Sequence, residues 1–140
     1  MNYEKVPKIR CWNRAQDLIP LIYQVTQKFP SEERYGITSQ IRRASNSIAA
    51  NFAEGCSRSS EPEFRRSLEI SIGSVFEVIS FLETSKRLRY IEASQFAKLE
   101  NDLLIIVRML SVLRAKLMAN GSLVLKHQWD ATSSYTPRNP

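Results

Sequence analysis

Side chains that could carry out catalysis are few in this chain. The single histidine, His127, falls near the carboxyl end among turn-forming residues. A dinuclear metal site in a helical bundle needs Glu-x-x-His pairs on two helices, and a serine or cysteine nucleophile ordinarily needs a histidine base. Neither arrangement can be assembled around a folded core here, so the sequence predicts a non-enzyme with no catalytic residues, no metal site and no cofactor.

The other reactive groups lack partners at a useful spacing. Acidic residues occur together at 32–33 and within 61–63, but these are predicted helix starts, where carboxylates favour the helix dipole. The loop EGCSRSSE, residues 54–61, has one glycine and no lysine, unlike a phosphate-binding loop. Cys11 and Cys56 lack the spacing of a metal site or a redox pair, so both are interpreted as reduced thiols.

Basic residues, by contrast, are clustered. The formal charge is +6, and residues 1–59 carry nine Lys and Arg against five Asp and Glu, whereas residues 60–119 carry nine against eight. This balance favours an anionic partner, with nucleic acid first and an acidic membrane surface second. The planar guanidinium group of arginine fits phosphate oxygens, and such contacts give affinity for nucleic acid that does not depend on base sequence. The predicted nucleic-acid contacts are Arg42, Arg43, Arg58, Arg65, Arg66, Lys86, Arg87 and Arg89.

The first five of these are expected to form one patch, because they lie on the second helix, the following turn and the start of the third helix. Each arginine can instead pair with an acidic residue at helical spacing, which on the third helix means Glu61 or Glu69. A polar stripe on the second helix has oppositely charged ends. This suggests a network between helices and shifts the nucleic-acid prediction from Arg43 towards Arg42. The stripe consists of Gln40, Arg43, Ser47, Asn51 and Glu54.

Apolar residues that recur every three or four positions predict four helices. The first ends at Phe29, and Pro20 inside it predicts a kink or an irregular turn around residues 16–20. The second runs from residue 37 or 38 to Glu54, with Gly55 as its C-cap.

The third helix starts at a capping box formed by Ser60 and Glu63. Gly73 and Ser74 in its middle are interpreted as a close crossing with another helix. The fourth helix, about 92–119, has an uninterrupted heptad of apolar residues. Four helices with short connections predict an all-α, antiparallel up-and-down four-helix bundle.

The middle of the fourth helix is apolar nearly all round, which burial on one side does not require. Either this helix is central in the bundle or its outer face packs on another subunit. The second reading is favoured because four helices leave none fully enclosed. It predicts a homo-oligomer whose interface includes Leu104, Ile105, Val107, Met109 and Val112.

The predicted organisation has three parts. Residues 1–9 form a basic arm, residues 10–119 form the bundle, and residues 120–140 form a flexible tail. The longest apolar run, LLIIV at 103–107, is far short of a membrane span. A soluble cytoplasmic protein is therefore expected.

Several short motifs in residues 10–115 resemble one known family. They are IYQVTQKFP at 22–30, E-x-Y-G-I at 33–37, QIRRA at 40–44, SIAANFAEG at 47–55, GS at 73–74 and YI at 90–91. The family includes proteins encoded within intervening sequences of bacterial large-subunit rRNA and accessory variability proteins of diversity-generating retroelements. The chain departs at Arg89, where the family tends to have glycine, and at Phe52, where it tends to have an aliphatic residue.

The resemblance implies a four-helix bundle that assembles as a homopentameric barrel with a basic surface. For retroelement members it implies binding to RNA or DNA and to a reverse transcriptase. For rRNA-insert members it supplies no settled role, and the motifs do not separate the two branches. The leading hypothesis is a non-catalytic bundle that binds structured RNA as the accessory subunit of a reverse transcriptase. The alternative is a structural or protein-interaction bundle encoded in an rRNA intervening sequence.

Overall fold

The computed structural model describes residues 10–120, and within them every regular element is helical. Helix α1 covers Arg10–Gln27, and a short 3-10 turn, Ser31–Glu33, leads into α2 at Ile37–Cys56. Helices α3 and α4 cover Glu61–Arg87 and Ala93–Asn120. The predicted all-α fold of four helices is confirmed, whereas the arm at 1–9 and nearly all of the predicted tail lie outside the described residues.

Side-chain contacts fix the helix directions. Arg42 and Asn46 on α2 contact Thr26 and Tyr23 on α1, respectively, so α2 runs back along α1. Between α2 and α3 the contacts step the same way, from Arg43 with Glu77 to Ser47 with Ser74 and on to Ile48 with Ser71. At the α3–α4 turn, Lys86 lies over Phe96. Consecutive helices are therefore antiparallel, as the short connections predict.

The core follows the apolar stripes read from the sequence. On α4, the heptad residues Leu103, Ile106 and Leu110 are fully buried. They pack with aromatic and aliphatic side chains of the other helices, including Phe52 and Phe64, whose rings meet edge to face with centroids 6.3 Å apart. Each large apolar side chain removed from water in this way contributes about 1.5–3 kcal/mol.

Helices α2 and α3 approach closely along a stripe of small residues. Ser67, Ser71 and Ser74 of α3 are buried on this side, and the Ser71 hydroxyl donates to the carbonyl of Ile48 at 3.0 Å. A Cβ atom placed on Gly55 would lie 2.7 Å from that of Ser67. Only glycine therefore allows this spacing at position 55.

One local prediction is wrong and two are wrong in part. Gly55 is not a C-cap: α2 continues to Cys56 and Ser57 is the cap, because Gly55 is needed inside the helix for the close approach to α3. The close crossing predicted at Gly73 and Ser74 is found at Ser74, which contacts α2, but not at Gly73, where a Cβ would meet nothing within 4 Å. Pro20 causes no irregular turn: it lies on the exposed side of an unbroken α1, whose opposite face is held in the core.

Candidate nucleic-acid interface

Arg42 holds α1 against α2. Its Nε donates to Thr26 Oγ1 at 2.9 Å, and its guanidinium lies 4.5 Å from the centre of the Tyr23 ring. Asn46 donates to the hydroxyl of the same tyrosine at 3.0 Å. The contacts of Arg42 with α1 therefore weaken the prediction that it is a nucleic-acid contact, because its guanidinium group is already engaged inside the protein.

Part of the polar stripe on α2 forms a network with α3, as its charges predict. Arg43 pairs with Glu77 of α3 at 2.6 Å and also contacts Gln40. The hydroxyls of Ser47 and Ser74 lie 2.8 Å apart. The stripe continues with Asn51, which donates to Ser47, and ends at Glu54, which pairs with Arg58. Arg43 and Arg58 therefore each pair with a carboxylate of the protein, Glu77 and Glu54 respectively.

The five arginines expected to form one patch do not do so. Arg42 and Arg58 are separated by most of α2, which at 1.5 Å per residue is about 24 Å. The α2–α3 register places Arg43 opposite Glu77, about 17 Å along α3 from Arg66. The prediction failed because two adjacent helices need not bring all their arginines together. In a long antiparallel pair, side chains far apart along the helices are also far apart in space.

Arg65 and Arg66 are exposed on the first turns of α3. Within residues 10–117 neither forms an ion pair, and the predicted alternative pairing with Glu61 or Glu69 is not made. Their guanidinium groups point into solvent beside the α2–α3 turn that carries Arg58.

Lys86, Arg87 and Arg89 lie at the opposite end of the bundle, where α3 turns into α4. Lys86 and Arg87 both contact the Glu83 carboxylate, at 2.8 Å and 3.2 Å. The Lys86 hydrogen bond, helped by Arg87 and opposed by desolvation, lowers the pKa of Glu83 below its usual value. Two of the three cations of this cluster therefore share one carboxylate.

The end that holds Arg58, Arg65 and Arg66 gains further cations from the other two helices. In an up-and-down bundle the start of α1 and the last part of α4 meet the α2–α3 turn. The same turns carry only three acidic residues, Glu54, Glu61 and Glu63, the first of which pairs with Arg58. We call this the basic end; it consists of Arg10, Arg14, Arg58, Arg65, Arg66, Arg114 and Lys116.

Four of these seven residues were missed by sequence reasoning. Arg10, Arg14, Arg114 and Lys116 stand apart from the arginine pairs in the sequence and gave no local signal. Their positions could have been predicted from the alternating helix directions. These place the starts of the first and third helices beside the ends of the second and fourth.

The predicted oligomer face of α4 is divided. Val107 and Met109 are half-buried and pack on the core, whereas Leu104 and Ile105 are half-buried without joining it. Val112 is 55% exposed. On α3, two further large apolar side chains that the sequence reading missed, Ile70 and Phe76, are 44% and 51% exposed.

Phe76 borders a groove between α3 and α4. The groove has a volume of about 690 Å³ and is also lined by Ile79 and Phe96, with Glu83, Lys86 and Glu100 among its polar walls. The apolar part of this groove is thus limited to Phe76, Ile79 and the buried Phe96, and the rest of its wall is polar.

Comparison with protein families matches residues 7–112, most of the chain, to the family described as 23S rRNA-intervening sequence protein. The chain belongs to this family. The sequence resemblance is thereby confirmed for its rRNA-insert branch. No curated protein matches the chain.

Among solved structures, the family fold recurs in a protein of unknown function from the S23 ribosomal protein family of Bacteroides thetaiotaomicron, determined at 1.70 Å. The two chains share 24% identity, with 74% of this chain and 97% of the other covered and a TM-score of 0.69. The similarity supports the bundle fold alone. Within residues 10–120, no helix is long and apolar enough to cross a membrane, and no three metal-ligating side chains converge.

Proposed function

We propose that this family member is a non-catalytic, homo-oligomeric bundle that binds structured RNA or another nucleic acid through its basic end. The observation that supports the proposal is the collection of seven Lys and Arg residues at one end, from α1, α3, α4 and the α2–α3 turn. Arg65 and Arg66 contribute most, because their guanidinium groups are exposed and make no ion pair within the described residues.

The chemistry of such a surface is contact with phosphate. Arg and Lys side chains release counterions when they neutralise phosphates, so affinity falls steeply with salt, by a slope of about 0.9 for each contact to duplex DNA and about 0.7 to single strands. No aromatic side chain is exposed among the described residues of the basic end. Phosphate contacts of this kind give affinity without sequence choice.

The test compares two variants with the same loss of charge. Replacing Arg58, Arg65 and Arg66 by glutamine removes three cations from the basic end, whereas replacing Lys86, Arg87 and Arg89 removes three from the opposite end. Binding of a fluorescent RNA hairpin and of a DNA duplex is measured by anisotropy between 50 and 200 mM salt, conditions over which phosphate contacts weaken markedly. The first variant should bind at least about tenfold more weakly, with a salt slope reduced by about 2.

The second variant should stay close to the wild type. Equal losses in the two variants would mean that only net charge matters, and unchanged affinity in the first would eliminate the basic end as the binding surface. Circular dichroism establishes that both variants are folded.

The oligomeric part of the proposal is supported by apolar side chains on α3 and α4 that a single chain does not bury. Phe76 on α3 and Val112 on α4 are exposed, and Leu104 and Ile105 on α4 are only half-buried. Contact with further copies would bury them, and the resemblance seen in the sequence implies five copies in a barrel.

A more specific role as accessory subunit of a retroelement reverse transcriptase rests on the sequence resemblance. The neighbouring reading frames test it: a reverse transcriptase with an imperfect repeat pair nearby supports this role, and flanking rRNA contradicts it.

The second candidate function is a structural or protein-interaction bundle, favoured by the match to the rRNA-intervening sequence family. In that case the positive charge serves solubility. RNA binding at physiological salt would then be weak and would not saturate, and both glutamine variants would behave alike.

A further inference from the structure

The fold brings together the two cysteines that the sequence keeps far apart. Cys11 lies in the first turn of α1 and Cys56 in the last turn of α2. Cys11 is buried, Cys56 is half-buried, and both are free thiols. Since α1 and α2 are antiparallel, these two turns meet at the same end of the bundle.

The helix register places the two cysteines at the same level. Tyr23 and Asn46 are in contact at 3.0 Å and serve as the reference point. From there, Cys11 is about 18 Å back along α1 and Cys56 about 15 Å forward along α2. The difference is less than one helical turn.

Both cysteines also lie on the facing sides of their helices. Cys11 extends the buried stripe that runs through Ala15 and Ile22, and Cys56 lies three helical turns beyond the buried Ser45 on the side where α2 contacts α1. Burial is the main cause that raises the pKa of Cys56, and Cys11 adds to the rise, in agreement with this placement.

We propose that Cys11 and Cys56 form an intramolecular disulfide under oxidising conditions, and that the bond locks the start of α1 onto the end of α2. With oxidised glutathione as oxidant, the more accessible Cys56 thiolate attacks a glutathione sulfur and releases one glutathione thiolate. The Cys11 thiolate then attacks the Cys56 sulfur and releases the second. Two protein thiols lose two protons and two electrons, one S–S bond forms, and one glutathione disulfide becomes two glutathione thiols.

Burial makes this reaction slow at neutral pH. Desolvation raises the pKa of each thiol to about 12. Only the thiolate reacts, so the rate should rise about tenfold for each pH unit between 7 and 9. The reduced pair is thus stable in a reducing compartment, and the crosslink forms on prolonged oxidation. The proposal does not depend on nucleic-acid binding.

The experiment incubates the purified full-length protein with oxidised glutathione and follows it by intact mass and by thermal unfolding. The expected product has lost about 2 Da, the two thiol hydrogens, and peptide mapping joins the segments that contain Cys11 and Cys56. Closing a loop of this length should raise the unfolding midpoint by roughly 10 °C, and dithiothreitol should reverse the rise.

Two variants provide the controls. Cys56→Ser, at a half-buried position, should give neither the mass loss nor the rise in midpoint. Cys11→Ala should retain glutathione on Cys56, because no second thiol can displace it. Stable glutathione addition to Cys56 in the wild type, a disulfide between two chains, or a crosslink without a rise in midpoint would each overturn the proposal.

Discussion

Arg89 is the residue of the described chain that adopts a left-handed backbone without being glycine, with a φ of 64°. It follows the end of α3, where its N–H bonds the carbonyl of Lys86 at 2.9 Å and the N–H of Tyr90 bonds that of Ser85 at 2.8 Å. This pair of bonds is the Schellman ending, in which the left-handed position usually holds glycine. The family that the sequence resembles tends to have glycine at this position, and the left-handed backbone is the physical reason.

Replacing Arg89 by glycine should therefore stabilise the protein. A side chain in this conformation costs about 1 kcal/mol or more, so Arg89→Gly should raise the free energy of unfolding by about 1 kcal/mol in urea titrations. Lys98→Gly, at an exposed position inside α4, should lower it by about 1 kcal/mol. Equal destabilisation by both changes would contradict the assignment of Arg89 to the helix ending.

Glu83 gives the protein a predictable acid response. Lys86 and Arg87 hold its pKa below the usual 4.5, so its ionised form is favoured by folding. The resulting stabilisation is present above pH 4.5 and is lost as the pH falls through the lowered value. Glu83→Gln should therefore unfold at a lower temperature than the wild type at pH 7, and the difference should disappear towards pH 3. A difference that is constant over this range in thermal scans would contradict the argument.

At the scale of the helices, the packing of α2 on α3 depends on small residues at defined positions. Gly55 faces Ser67 and Phe64, whereas Gly73 faces open space on the outside of α3. The two glycines thus have different effects. Gly55 allows α2 and α3 to approach closely, whereas Gly73 only lowers the helix propensity of α3.

Substitution by alanine should separate these two cases. Gly55→Ala forces a Cβ to 2.7 Å from that of Ser67, so the helices must shift and the free energy of unfolding should fall by about 1–3 kcal/mol. Gly73→Ala should raise it by up to about 1 kcal/mol. Chemical denaturation of the two variants measures both effects, and destabilisation by Gly73→Ala would show that position 73 is covered in the assembled protein.

At the scale of the whole molecule, the four helices separate two kinds of surface. The basic end collects cations from α1, α3, α4 and the α2–α3 turn, whereas α3 and α4 expose large apolar groups such as Phe76 and Val112. Under the proposed function, the basic end contacts nucleic acid, and the apolar side chains of α3 and α4 contact further copies of the chain.

The oligomer prediction is tested on α4. Ile105→Glu combined with Val112→Glu places two charges on the proposed contact face and should yield single chains of 16.1 kDa by light scattering. Lys98→Glu, an exposed change elsewhere on α4, should leave the mass unaltered. A wild-type protein that is already monomeric would remove the argument drawn from this face.

The sequence alone determined the elements and the core. Periodicity located four helices, the Ser60 cap and the buried heptad of α4, because helix formation and burial depend on residues three and four positions apart. Gly55 was predicted to end α2, but it lies inside the helix. Its role depends on contact with Ser67 of α3, which no pattern within α2 can show.

Only the tertiary structure decided which side chains come together. It split Arg42 and Arg43 from Arg58, added Arg10 and Lys116 to the basic end, and brought Cys11 and Cys56 to the same end of the bundle. The physical reason is that the register and facing of antiparallel helices are set by packing among several elements at once. The sequence of each segment shows which face of that helix is apolar. How far two helices are shifted along each other is fixed by contacts between them, such as Gly55 with Ser67 and Arg42 with Thr26.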